Sequence, residues 1–135
     1  MREKLKSAAL FVWQLPQNLL GLVVRRVLRA ARFRGYYVFA GGFLTSVSLG
    51  SYVLINVTKP CGDDTLRHER GHSAQSLRLG WLYLPVIGLP SALGNMADRI
   101  LHGKWDAARR RRWYYSLPWE AWADRLGGVD RREET

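Results

Sequence analysis

The chain contains one cysteine, Cys61, so no intrachain disulfide can brace it and its compartment cannot be read from cysteine usage. Histidine is equally scarce, with only His68, His72 and His102 in 135 residues. A long apolar run is also missing. The best candidate, Leu10 to Val24, is interrupted by Gln14, Pro16, Gln17 and Asn18. It falls short of the roughly 18 consecutive apolar residues of a spanning helix. Met1-Arg2-Glu3-Lys4-Leu5-Lys6 and the apolar residues after it have the outline of a signal peptide, but no small-residue cleavage site follows. No cleavable leader is therefore expected. Acidic residues are few, 11 against 21 Lys and Arg, for a formal charge of +10. Such a field favours anionic membranes, nucleic acids or acidic proteins over basic partners. No internal repeat or long linker divides the chain, and its length suits a single domain with a modest core.

What the chain does contain is concentrated in His68-Glu69-Arg70-Gly71-His72. On a helix, residues i and i+4 lie one turn apart on the same face, so His68 and His72 can grip one metal ion. Glu69 is offset by roughly 100° around the helix axis. It would sit beside an open coordination position, where a general base for water is needed.

Two histidines do not complete a catalytic zinc site, which takes three protein ligands and leaves a fourth position open. Cys61, His102 or a carboxylate could supply the third. The best-placed carboxylates are in Pro118-Trp119-Glu120-Ala121-Trp122-Ala123-Asp124. Ser116 can cap a helix there, Pro118 suits its first turn and Gly127-Gly128 can end it. Glu120 and Asp124 then share a face. One carboxylate could bind the metal while the other accepts the free ring N–H of a ligating histidine.

HExxH followed on a second helix by ExxxD resembles the gluzincin (thermolysin-type) zinc metallopeptidases. The resemblance implies that His68, His72 and Glu120 bind Zn2+, that Glu69 is the catalytic base and that Asp124 orients a ligating histidine. Longer strings are more particular. Arg67 to Ser76, Leu79 to Pro85, Gly88 to Ser91 and Trp122 to Val129 are similar to a group of small uncharacterised bacterial proteins of metallopeptidase type. This likeness covers most of the chain from Tyr36 onward and implies the zinc site without a known substrate. The pattern departs from the larger family in two places. Trp119 stands where an Asn usually precedes the third ligand, and no histidine follows Glu120 to stabilise an oxyanion. Tyr114, Tyr115 and Arg125 are the nearby candidates for that donor.

The expected architecture is α+β: a compact, mainly helical zincin-like domain with a small β-sheet, an HExxH helix and a second ligand helix. Residues 1–34 read as a basic amphipathic helical segment interrupted at Pro16, and residues 35–135 as the minimal metal-binding domain. Tyr36 to Phe39 and Ser51 to Val57 read as strands. An edge strand of such a sheet can pair with an extended peptide substrate. The metal helix is expected from about Asp64 to Arg78, capped by Asp63 or Asp64. Leu79 to Gly94 reads as an apolar stretch broken by Gly and Pro, and Asn95 to Arg112 as one basic amphipathic helix.

Over Leu19 to Arg34, Leu20, Val24, Val27, Leu28 and Ala31 share a face opposite Arg25, Arg26, Arg29 and Arg32. That pattern fits an anionic membrane surface. The reading is thus a zinc-dependent peptidase, peripheral or interfacial on a membrane and otherwise cytoplasmic, with a peptide or protein substrate. Its main alternative is a non-catalytic membrane-associated protein whose zinc site is structural and closed by Cys61 or His102. A basic nucleic-acid binder using Arg109-Arg110-Arg111-Arg112-Trp113-Tyr114-Tyr115 ranks behind, because no nucleic-acid motif accompanies that run.

Overall fold

The computed structural model describes residues 1–42, 44–59 and 62–132. It is an α+β protein, predominantly helical, with one small mixed sheet. Helices α1 (Arg2–Trp13) and α2 (Leu15–Val27) open the chain. They break at Gln14, because Pro16 has no N–H to give and settles into the first turn of α2. The helix expected to reach Arg34 stops at Val27, and Ala31–Phe33 forms strand β1 instead. Leu28 to Ala30 turn the chain, with Arg29 at a positive φ of 51°, so that Ala30 is buried in the core beside Phe39 and Leu54. Tertiary burial of Ala30 overrides the helical periodicity that continues through Ala31.

Strand β2 (Tyr36–Phe39) pairs antiparallel with β1, across the position at which the sequence divides into basic segment and domain. Arg34 and Gly35 form the connecting turn with φ of 44° and 84°, the doubly left-handed geometry of a two-residue hairpin. Strands β3 (Val47–Leu49) and β4 (Tyr52–Asn56) form a second hairpin, turning at Gly50 with φ 65°. Strand β4 runs parallel to β2, giving the order β1-β2-β4-β3 with β3 on the edge. Val24 and Leu28 pack on the same apolar core.

Helix α3 (Asp63–Leu79) carries the HExxH segment. Its cap is Gly62 rather than either aspartate, and Asp63 and Asp64 lie in the first turn, where negative charge complements the helix dipole. Beyond it, the apolar stretch is helical nearly throughout. A 3-10 turn at Gly80–Leu82 and a π-helical turn at Leu84–Gly88 lead into α4 (Leu89–Leu101). The single helix expected over Asn95 to Arg112 is two. Helix α5 (Ala107–Ser116) restarts after a turn, capped by Asp106, whose side chain accepts from the Arg109 N–H at 2.9 Å.

Helix α6 (Pro118–Gly127) begins with Pro118 and ends at Gly128, which is left-handed with φ 74°. Its expected cap, Ser116, instead donates to the Trp113 carbonyl at 2.6 Å, and Leu117 holds the cap position.

The largest contact between elements is α3 against α6. Its closeness follows from glycine. A Cβ on Gly71 would lie 1.9 Å from the Ala123 carbonyl oxygen, and one on Gly127 would lie 2.0 Å from that of Arg67. The two helix backbones therefore touch where the polar side chains of both face inward.

Candidate metal centre

Helices α3 and α6 bring His68, His72 and Glu120 together, and one ligand atom from each lies within 4.8 Å of the others. All three are buried, Glu120 completely. The Nε2 atoms of both histidines converge on a single oxygen, Glu120 Oε2, at 3.0 Å from His68 and 3.1 Å from His72. The rings stand nearly perpendicular with centroids 4.7 Å apart. Two imidazole nitrogens and one carboxylate oxygen this close together form a donor set able to hold a metal ion.

The outer ring nitrogens explain why the inner ones are available. His68 Nδ1 donates to Asp124 Oδ1 at 2.7 Å, and His72 Nδ1 donates to Gln75 Oε1 at 2.7 Å. Each acceptor is itself fixed. Gln75 Nε2 donates to the Trp119 carbonyl at 2.8 Å, which turns its oxygen toward His72. Arg131 donates to both oxygens of Asp124, at 2.6 and 3.1 Å, and lies over the Tyr115 ring at 3.4 Å. A proton held on Nδ1 leaves the Nε2 lone pair free to bind. Glu120 is oriented in the same way. Its Oε1 accepts from Ser91 Oγ and from Tyr114 OH, the latter at 3.0 Å, and Oε2 is left facing the histidines.

Electrostatics follow from this packing. Burial disfavours a charged His68, but hydrogen bonds to Asp124 and Glu120 outweigh it and raise its pKa to about 9. His72 is likewise raised, burial being outweighed by Glu120 and Glu69. Glu120 is held well below the usual carboxylate range, because its hydrogen bonds to the two histidines overcome the cost of burial. Glu69 moves the other way: burial pushes it up, against the pull of the nearby imidazoles. Its Oε2 is buried without a hydrogen-bond partner. Glu69 is outside the donor set and, with His72, Ser91 and Tyr114, lines a cavity of about 560 Å³ whose walls are otherwise mainly apolar.

The five residues taken from the HExxH and ExxxD patterns thus occupy one site. Glu120 and Asp124 both face the site rather than solvent. Glu120 is buried, Arg125 is exposed, and Asp124 pairs with Arg131. His102 lies apart, stacked on Trp105 at 3.7 Å with Nδ1 on Asp98. It is not in the donor set, so it does not close a four-ligand site; Cys61, the other residue considered for that role, lies outside the described residues. Of the oxyanion candidates, Tyr114 reaches the cavity, Tyr115 packs edge-on to His68 at 5.0 Å, and Arg125 points to solvent.

Gln75, Ser91 and Arg131 were not foreseen. Gln75 had a signal, its i+3 spacing from His72 on the metal helix; Ser91 and Arg131 had none, because only the fold brings them in.

Fold and site define an α+β protein with a buried His-His-carboxylate group suited to one metal ion. Comparison with protein-family models, curated proteins and solved structures finds no significant match to this chain.

Proposed function

We propose that the protein is a zinc-dependent peptidase of gluzincin type acting at a membrane surface. The observation that carries this reading is the convergence of His68 Nε2 and His72 Nε2 on Glu120 Oε2, with Glu69 buried alongside and unpaired on one oxygen. Two nitrogens and one carboxylate are the donor set of hydrolytic zinc sites, whose fourth position stays open. Zinc held there would polarise a scissile carbonyl and acidify water.

The chain's own residues do the rest. Glu69, raised in basicity by burial, takes the proton from the attacking water and returns it to the leaving amine. Asp124 and Gln75 hold the histidine tautomers through both steps. Tyr114 keeps Glu120 in place and presents a hydroxyl beside the cavity. Edge strand β3 lines the same cavity through Val47, Ser48 and Leu49, so an extended peptide has a strand to lie along. The apolar walls also exclude water from the reacting carbonyl.

The test compares two variants on a mixed peptide pool. Glu69→Gln should retain zinc and lose turnover by about a hundredfold or more. His72→Ala should lose both zinc and turnover. Equal zinc loss in the two variants would show that the roles are misassigned.

A further inference from the structure

Large apolar side chains are left in solvent along two runs. On α1 and α2, Val12, Trp13, Leu19, Val23 and Val27 are about half exposed or more. On residues 81–101, Trp81, Leu82, Leu89, Leu93, Met96 and Ile100 are all more than half exposed. The two runs belong to one face. Trp81 packs beside Ala9 and Val12 and donates its indole N–H to the Val12 carbonyl at 2.9 Å. Trp13 donates in turn to the Leu77 carbonyl at 2.8 Å. Leu20 and Val24 of α2 and Leu89 and Met96 of α4 all line the cavity that contains Glu69 and His72. The mouth of the site therefore lies between the two apolar runs.

Apolar area of this extent marks an interaction surface, and charge identifies its partner. No acidic residue occurs between Lys4 and Asp63, a stretch that carries Arg25, Arg26, Arg29, Arg32 and Arg34. Residues 79–97 have no charge at all; Arg78 precedes them and Asp98-Arg99 follow, with Asp98 paired to Arg110 at 2.8 Å. An apolar face edged by cations, whose one carboxylate, Asp98, is neutralised by Arg110, complements a bilayer with anionic headgroups. Trp13 and Trp81, half exposed with their N–H groups already bonded, suit the headgroup boundary. No single helix among the described residues is long and apolar enough to cross a membrane; α1 and α2 together have the length and composition of a span but are bent by 89°. That geometry fits a face that rests on a bilayer.

We infer that this face seats on an anionic bilayer with the mouth of the metal-bearing cavity against it, so that the polypeptides reaching Glu69 are segments held at the bilayer surface. The substrate class rests on the peptidase reading; the docking does not. Aliphatic walls around the scissile position match the side chains such segments carry.

Docking is read by flotation of the zinc-loaded full chain with vesicles of phosphatidylcholine and phosphatidylglycerol. Val23→Glu and Leu93→Glu replace exposed side chains and should leave folding intact, yet each should weaken vesicle binding by about tenfold or more. Val57→Glu, at a site 52 % exposed just beyond β4 and in neither apolar run, should leave binding unchanged. Absence of wild-type binding, equal loss in all three variants, or a solution dimer that Leu93→Glu dissolves would overturn the docking; the last would assign the face to a second copy of the chain.

Substrate class is read with one peptide pool, offered free and with a palmitoyl anchor on the same vesicles. The anchored pool should be cleaved about tenfold faster or more, and Val23→Glu should remove that advantage. Equal cleavage of both pools would overturn the bilayer-held substrate and leave the peptidase reading standing. Cleavage of neither pool would overturn both.

Discussion

At the residue scale, the site depends on what stands behind each ligand as much as on the ligands. Asp124 fixes the Nδ1 proton of His68 and is itself clamped by Arg131. Asp124→Asn should therefore lower zinc affinity by about 10- to 100-fold without removing any donor, a loss measurable by competition with a chromophoric chelator. The pH dependence has opposite signs with and without metal. In the metal-free protein, the His68 pKa is raised from 6.5 to about 9 by its two carboxylate partners, against burial. Its contribution to stability is fully present below about 6.5 and is lost as pH rises through about 9. Glu120, depressed below its ordinary 4.5, contributes above that value and loses its contribution as pH falls through its folded-state value. Thermal denaturation in chelator should thus show the melting temperature falling between neutral and alkaline pH. Zinc must displace the same imidazole protons, so its retention should improve across that interval. A flat melting temperature in chelator would mean the histidines are not paired with these carboxylates.

At the scale of elements, the site is the contact between α3 and α6. Adding a methyl at Gly71 forces two backbones apart, since its Cβ would lie 1.9 Å from the Ala123 oxygen. Gly71→Ala should cost about 1–3 kcal/mol in chemical denaturation and weaken zinc binding at the same time. Gly103→Ala, which meets only ordinary contact at 3.5 Å, should change neither.

Elements also show why some of the fold was legible in the sequence and some was not. The HExxH helix and the Glu120 helix could be read because periodicity, Pro118 and the Gly127-Gly128 stop are local signals. Strand β3 was missed because three residues leave too little alternation to recognise, although Gly50 offered a turn. Helix α2 was drawn too long because the apolar pattern through Ala31 does not reveal that Ala30 packs against Phe39 and Leu54. The helix over Asn95 to Arg112 was drawn unbroken although Gly103 and the cap residue Asp106 were both visible in it. The histidine pair was legible from its spacing, and Glu120 from the resemblance, whereas Ser91 and Tyr114 were not recognised as supports of Glu120. The spacing of His68 and His72 is written within one helix, whereas those supports come from α4 and α5 and meet Glu120 only in three dimensions.

At the scale of the whole molecule, the apolar core is small, centred on Ala30, Phe39 and Leu54, and the metal group lies between helices rather than within that core. Metal should therefore contribute substantially to stability. Free zinc at about 1,000 times its dissociation constant adds about 4 kcal/mol to any state that binds it alone. Chelation should lower the melting temperature markedly in the wild type and leave His72→Ala unchanged, a contrast read directly by calorimetry. Exposed apolar side chains of α2 and α4 line the cavity that holds Glu69 and His72, so the proposed chemistry and the proposed bilayer contact are tested on one side of the molecule.

The central claim is that His68, His72 and Glu120 hold one zinc ion. Elemental analysis of purified protein, after exhaustive dialysis against metal-free buffer and titration with zinc, tests it most directly. The account predicts about one zinc per chain, as a three-ligand site with an open position requires, and none in His72→Ala or Glu120→Ala. Failure of the wild type to retain or take up zinc, or undiminished uptake by Glu120→Ala, would contradict it.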